Sequence, residues 1–114
     1  MKREYRVRKH SEFDRIIKNG KKVRSPHFAL YALPCAENEE HGFVGVAVSK
    51  ANGGAVQRVR AKRQVRAMIG TSGILQARIY LIVVIRPSYQ EGAFHENEVE
   101  LLEDLRKIKD TTLE

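Results

Sequence analysis

Six cationic side chains, Lys50, Arg58, Arg60, Lys62, Arg63 and Arg66, fall within residues 49–70, a stretch that contains no acidic residue. Arg58, Lys62 and Arg66 stand at i, i+4 and i+8, so on a helix they stack along one side, with Arg63 beside them and Arg60 turned further round. Like charges at that spacing repel by roughly 0.2–0.5 kcal/mol per pair on an isolated helix. A cluster without an intervening acid is therefore a poor stabilising device, and its chemistry is that of a surface for a polyanion. Catalytic groups are harder to find. His10, His27, His41 and His95 are scattered and read as surface histidines, without the partner spacing of a triad or a metal cluster. No Asp or Glu lies between Glu40 and Glu91, so the paired carboxylates that a two-metal nuclease needs are missing from the basic region. Any bond breaking must come from a partner.

The basic stretch needs a helix and a surface to hold it. A helix over residues 55–69 puts Ala61, Val65, Met68 and Ile69 on one face, spaced i, i+4, i+7 and i+8, and the cations on the adjoining side. Asn52, Gly53 and Gly54 break the chain before it. Upstream, a short helix is expected from Ser11, acting as N-cap with Asp14 as its capping-box partner, to Gly20, with Phe13, Ile16 and Ile17 as its apolar stripe. Val23 marks a short first strand. Residues 27–33 alternate Phe28, Leu30 and Ala32 with Ala29, Tyr31 and Leu33, a strand that Pro34 stops. The polar residues 36–42 then read as a hairpin connection to a strand over 43–49, whose two-sided apolar character predicts a central position. A loop over 71–78 leads to a buried strand over 79–85, parallel to strand 43–49 because a helix lies between them. A last helix over 94–109 is expected to bury Val99, Leu102 and Leu105, with Leu101 and Ile108, and to turn Glu96, Glu98, Glu100, Glu103 and Asp104 outward.

At 114 residues the chain is the size of one domain, 1–114, with residues 1–9 as an extended basic N-terminal arm. The net charge of +7 is unevenly spread. Residues 1–40 hold ten Lys/Arg and six Asp/Glu, residues 41–90 eight and none, and residues 91–114 three and eight. A cationic middle followed by an acidic tail favours nucleic acid on one side of the molecule, away from the last helix. Cys35 is the single cysteine, which excludes an internal disulfide and suits a reducing cytoplasm; it reads as a packed strand-end residue. The longest apolar run, 79–85, is far short of a membrane span, and the charged N-terminus has no signal-peptide core, so a soluble cytoplasmic chain is expected.

The order of elements and the basic segment resemble the bacterial ribonuclease P protein subunit. That family ends a strand in Val-Ser-Lys, turns through Gly-Asn-Ala-Val and places Arg-Asn-Arg-x-x-Lys-Arg-x-x-Arg on the helix. Here the positions read VSKANGGAVQRVRAKRQVR, with Val48, Ser49, Lys50, Ala55, Val56, Arg58, Arg60, Lys62, Arg63 and Arg66 in register. KHSEFDRIIKNGKKV and FALYAL are also similar to the family's N-terminal half. Gly54 and Val59 stand where the family carries asparagine, and Ile17 where it has an aromatic ring. The resemblance implies an α/β fold, an α+β two-layer sandwich like the second domain of ribosomal protein S5. Its element order would be α-β-β-β-α-β-α with a left-handed βαβ crossover, where general rules predict a right-handed one. It also implies an accessory to a catalytic RNA that removes the 5′ leader from precursor tRNA, with magnesium held mainly by the RNA; the oligomeric state is open, with a monomer favoured. Carried over by position, Lys50, Arg58, Arg60, Lys62, Arg63 and Arg66 would bind the catalytic RNA. Phe13, Ile17 and Tyr31 would floor a leader cleft edged by Lys62 and Arg66. The competing reading is a ribosomal or other structural RNA-binding protein without a role in tRNA processing.

Overall fold

The computed structural model describes residues 3–113. Lys2 of the expected arm lies outside them. Three helices, α1 (His10–Asn19), α2 (Ala55–Ser72) and α3 (Phe94–Leu113), pack on four strands, β1 (Lys21–Arg24), β2 (Phe28–Pro34), β3 (Phe43–Val48) and β4 (Ile79–Ile85). The α-β-β-β-α-β-α order is the one expected. The sheet order is β1-β2-β4-β3, with β3 and β4 parallel across the α2 crossover and the other pairs antiparallel.

Strand alternation sorts the side chains into two layers. Phe28, Leu30, Ala32, Val44, Val46, Leu81, Val83 and Ile85 form one core with Ala61, Val65, Met68 and Ile69 of α2 and Leu101, Leu105 and Ile108 of α3. The opposite face, carrying Ala29, Tyr31, Gly45, Ala47, Tyr80, Ile82 and Val84, is covered in part by α1 through the fully buried Ile16.

Two expectations about the strands fail together. The polar connection 36–42 does not close a hairpin, because β4 inserts between β2 and β3, and β3 lies at the edge instead of the centre. β4 is apolar at all seven positions and needs cover on both faces and both edges. The connection is instead tied to the chain leading into β4. The Gly42 amide donates to the Leu75 carbonyl at 2.7 Å, and the Arg78 guanidinium donates to the Ala36 and Glu37 carbonyls at 3.2 and 2.7 Å. The open edge of β3 is blunted by the N-terminal segment. Arg6 bridges Val44 in parallel and the Val7 amide donates to the Val44 carbonyl at 3.0 Å, so the expected extended arm is docked.

Helix boundaries shift for local reasons. Lys9, not Ser11, occupies the N-cap of α1, and no side chain caps it; Asp14 sits 3.8 Å from His10 one turn back. Gly20 ends the helix as expected, its amide on the Ile16 carbonyl, and a Cβ there would lie 2.5 Å from that oxygen. The 71–78 loop is largely helical. α2 runs on to Ser72, stops at Gly73 with φ 79°, and a 3-10 turn at Ile74–Ala77 buries Ile74.

α3 is rotated from its expected setting: Leu101, Leu105 and Ile108 are buried, but Val99 and Leu102 are exposed and Asp104 is 3% exposed. The cause is a polar cluster with the β1–β2 turn. Ser25 Oγ lies 2.6 Å from Glu100 Oε2 and 2.5 Å from Asp104 Oδ2, and His27 engages Glu100 through its amide at 2.8 Å and its ring Nδ1 at 2.5 Å. His27 is thus a docking residue, not a loose surface histidine. One hydroxyl proton can serve only one carboxylate, so the cluster is fully satisfied when Asp104 brings a proton of its own. Burial pushes the Asp104 carboxyl above its ordinary value, the Ser25 bond opposing and the Glu100 charge adding. Burial also raises Glu100, but hydrogen bonds from His27 and Ser25 outweigh it and hold that carboxyl low.

Those directions have opposite consequences. Asp104, raised from 3.8, is most favourable to folding below that pH and loses the benefit as pH rises through its folded value. Glu100, lowered from 4.5, stabilises above that pH and loses the benefit as pH falls. Asp104→Asn should therefore melt above the parent protein at pH 7 and coincide with it near pH 3. A lower melting temperature for the variant at pH 7 would show that the ionised Asp104 is stabilising.

Candidate RNA interface

α2 is positioned at three places. At its start, the Asn52 side-chain amide donates to the Arg86 carbonyl at 2.8 Å, Gly53 turns the chain at φ 113°, and Gly54 is the N-cap. A side chain at Gly53 would be strained by that φ and would meet Gln57. Along its inner face Ala61, Val65, Met68 and Ile69 are all under 5% exposed. On its flank Tyr89 donates to Gln64 at 2.5 Å, and Gln64 donates to the Glu91 carbonyl at 3.3 Å. Burying Val65, Met68 and Ile69 contributes about 1.5–3 kcal/mol each, which outweighs the repulsion among the stacked cations.

Lys50, Arg60 and Arg63 are exposed, and Arg58, Lys62 and Arg66 half-buried. Among the described residues none of the six forms a salt bridge. The Nε atoms of Arg58 and Arg66 are buried without a hydrogen-bond partner. Burial, and then the nearby Arg6 cation, pull the Arg66 guanidinium below its ordinary value. Charges gathered in this way, with no acid to answer them, are complementary to phosphates. On α3, Glu103 and Asp110 are paired internally with Arg106.

The second face of the sheet holds the other predicted residues. Phe13 lies against Gly45, whose hydrogen leaves room for the ring: a Cβ there would be 2.4 Å from Phe13 Cζ and 2.9 Å from Ile82 Cδ1. Tyr31 is half-buried in the same cross-strand row, Lys22–Tyr31–Ile82–Gly45, and Lys22 Nζ stands 5.3 Å from the centre of its ring. Ile17 is 39% exposed. The next row, Arg24–Ala29–Val84–Ala47, has small or short side chains at its three positions after Arg24. Phe13 and Tyr31 are therefore on one face of the sheet with cationic neighbours on β1, and Ile17 stands one helical turn after Phe13 on α1. Lys62 and Arg66 are on α2, which packs on the other face of β3, and Arg66 comes near Arg6 at the β3 edge.

Reading the residues alone missed Gly45, Lys22 and the Asn52 and Tyr89 ties. A glycine inside an apolar strand is a signal of close approach and could have pointed to Gly45. Cys35 packs as expected, with burial pushing its thiol up to about 11, so it stays protonated and inert. Val59 is 54% exposed on the outer side of α2, with Val56 one turn before it.

The family model for ribonuclease P matches residues 1–109. The ribonuclease P protein component of Shouchella clausii is 34% identical over 110 residues, covering 96% of this chain and 89% of that one. That of Halalkalibacterium halodurans is 36% identical, covering 77% and 75%. The match to the Macrococcus caseolyticus protein is 44% identical but spans 58% of this chain and 56% of that one. Among solved structures, the Staphylococcus aureus RNase P protein superposes with a TM-score of 0.74 at 29% identity, covering 91% of this chain and 96% of that one. The Thermotoga maritima protein has the same fold, at a TM-score of 0.70 and 22% identity over 92% and 96% of the two chains. With its signature cations unpaired on α2 and its length matched almost throughout, the chain belongs to the ribonuclease P protein family.

Proposed function

We propose that the chain serves as the protein subunit of ribonuclease P, helping a catalytic RNA remove the 5′ leader from precursor tRNA. The observation that carries this is the set of six α2 and pre-α2 cations, fixed by the core and answered by no acid, on the opposite side of the sheet from an aromatic surface. In this reading Lys50, Arg58, Arg60 and Arg63 bind the catalytic RNA. Phe13, Ile17 and Tyr31 receive the single-stranded leader, with Lys62 and Arg66 between the two. Flat side chains accept bases without demanding a sequence, and cations follow the backbone, which suits leaders that differ between tRNAs.

The chain supplies no group for the hydrolysis itself. In this reading magnesium is held mainly by the RNA, and the basic region that faces it carries no carboxylate between Glu40 and Glu91. No described helix is long and apolar enough to cross a membrane, and the cytoplasm, where tRNA is processed, is the proposed location of a monomeric protein. Reconstitution with a bacterial catalytic RNA at low magnesium should restore leader removal, and the complex should bind precursor tRNA more tightly than mature tRNA. Equal affinity for the two would favour a structural RNA-binding protein instead.

A further inference from the structure

The docked N-terminal segment makes a pocket that the proposed leader surface does not use. It has a volume of about 320 Å³ and is lined by Phe43, Tyr80 and Val7 at its base, with Arg6, Arg8 and Lys9 and the acids Glu4 and Glu12 also in its wall. Phe43 and Tyr80 are cross-strand neighbours whose rings stack at 5.2 Å and 18°, and Arg15 lies 5.1 Å from the centre of the Tyr80 ring. Tyr5 and His41 extend this aromatic row toward the strand's outer end, at 4.5 Å from each other and with His41 4.9 Å from Phe43. Three features are unusual for a mere strand cover. The segment places three cations beside an apolar wall, Arg6 is also near Arg66 of α2, and of the two acids in the wall Glu12 is bound by Arg15 at 3.0 Å.

We propose that this pocket binds one nucleotide of single-stranded RNA, its base against Phe43, Tyr80 and Val7 and its phosphate on Arg6, Arg8 and Lys9. The volume suits a single nucleotide, being at the low end of the roughly 300–1,000 Å³ of small-molecule sites. An apolar wall with flanking cations is how single strands are held without sequence readout. Glu4 and Glu12 add a preference, because a carboxylate accepts from the exocyclic amine of adenine or cytosine, whereas uracil has a carbonyl oxygen at that position and offers only its ring N3–H. Arg6 then connects the pocket to the cations of α2, so RNA could run from the basic helix round the β3 edge. The ligand class rests on the RNA-binding reading above, but no tRNA or catalytic RNA is required.

The test is a titration of the full-length free protein with an adenylate trinucleotide, followed by amide NMR. Shifts are expected at Val7, Phe43 and Tyr80. Tyr80→Ala should weaken binding about fivefold or more, the scale of one base–aromatic contact. Arg8→Ala, at an exposed position whose one side-chain hydrogen bond among the described residues is a 3.4 Å contact to the Arg3 carbonyl, should weaken it about threefold and lower the log–log salt slope by roughly 0.7. A uridylate trinucleotide should bind less well than the adenylate. Shifts confined to α2 and the Phe13 surface, or unchanged binding by Arg8→Ala, would overturn the proposal. Were precursor and mature tRNA bound equally, the leader reading would fail while these shifts remained.

Discussion

Replacing Lys50, Arg60 and Arg63 together with alanine is expected to weaken binding to the catalytic RNA on the order of 100-fold near 0.1 M salt, with the fold intact. Each is an exposed cation without a salt-bridge partner among the described residues, so its removal leaves no buried group behind. A single surface charge opposite a phosphate contributes about 1 kcal/mol at the water limit, and three such losses, about 3 kcal/mol together, correspond to a weakening on the order of 100-fold. The salt dependence separates this from a folding defect. About five neutralised phosphates predict a log–log slope of roughly −3 to −5 for the parent, and losing three contacts should make it shallower by about 2–3. The variant should also melt no lower than the parent, since like charges on α2 have been removed. Weak binding with an unchanged slope would mean that the three residues act through structure and not through phosphates.

That expectation draws on the part of the molecule most legible from residue order. α2 shows both faces in its own period: Ala61, Val65, Met68 and Ile69 repeat at helical spacing and are all buried, and the cations occupy what remains. β4 was equally plain, because seven consecutive apolar residues need cover wherever they lie. What residue order does not carry is the choice of neighbour. β3 and β4 are both apolar on two faces, and a seven-residue polar connection before β3 is compatible with a hairpin; only the requirement to cover β4 on both edges moves β3 to the outside. α3 offered two overlapping stripes, one through Val99 and Leu102 and one through Leu101, Asp104 and Ile108. Leu105 borders both and each carries apolar residues, so hydrophobicity alone does not choose between them. Ser25 and His27, more than 70 residues away, hydrogen-bond to Glu100 and Asp104, with the Ser25 hydroxyl and the His27 amide as donors, and decide the rotation. The N-terminal segment shows the same limit, since its cations mark an extended basic arm but residue order does not show that its backbone meets the unpaired edge of β3.

Gly45→Ala is expected to separate the two RNA surfaces. The added methyl would sit 2.4 Å from Phe13 Cζ and 2.8 Å from Phe13 Cε2, and Ile82 Cδ1 at 2.9 Å closes the other side, so the Phe13 ring must leave its place. Phe13 is only half-buried at the end of the sheet, so the ring can swing outward without dismantling the main core under α2 and α3. Overpacking of this kind costs about 1–3 kcal/mol, offset by about 0.4–1 kcal/mol from the stiffer unfolded chain, so the melting temperature should fall by several degrees. Binding of precursor tRNA to the reconstituted complex should weaken about tenfold, the scale of one displaced base contact. Affinity for the catalytic RNA alone should hold, because α2 is docked on the other face of the sheet by residues that Gly45 does not touch. Combining the change with Phe13→Ala gives the decisive comparison. If the methyl acts by expelling the ring, the double variant should bind precursor tRNA no more weakly than Phe13→Ala alone, and part of the lost stability should return. Additive losses would show that Gly45 serves the leader surface by a route other than Phe13, and an unchanged affinity in Gly45→Ala would remove Phe13 from that surface altogether.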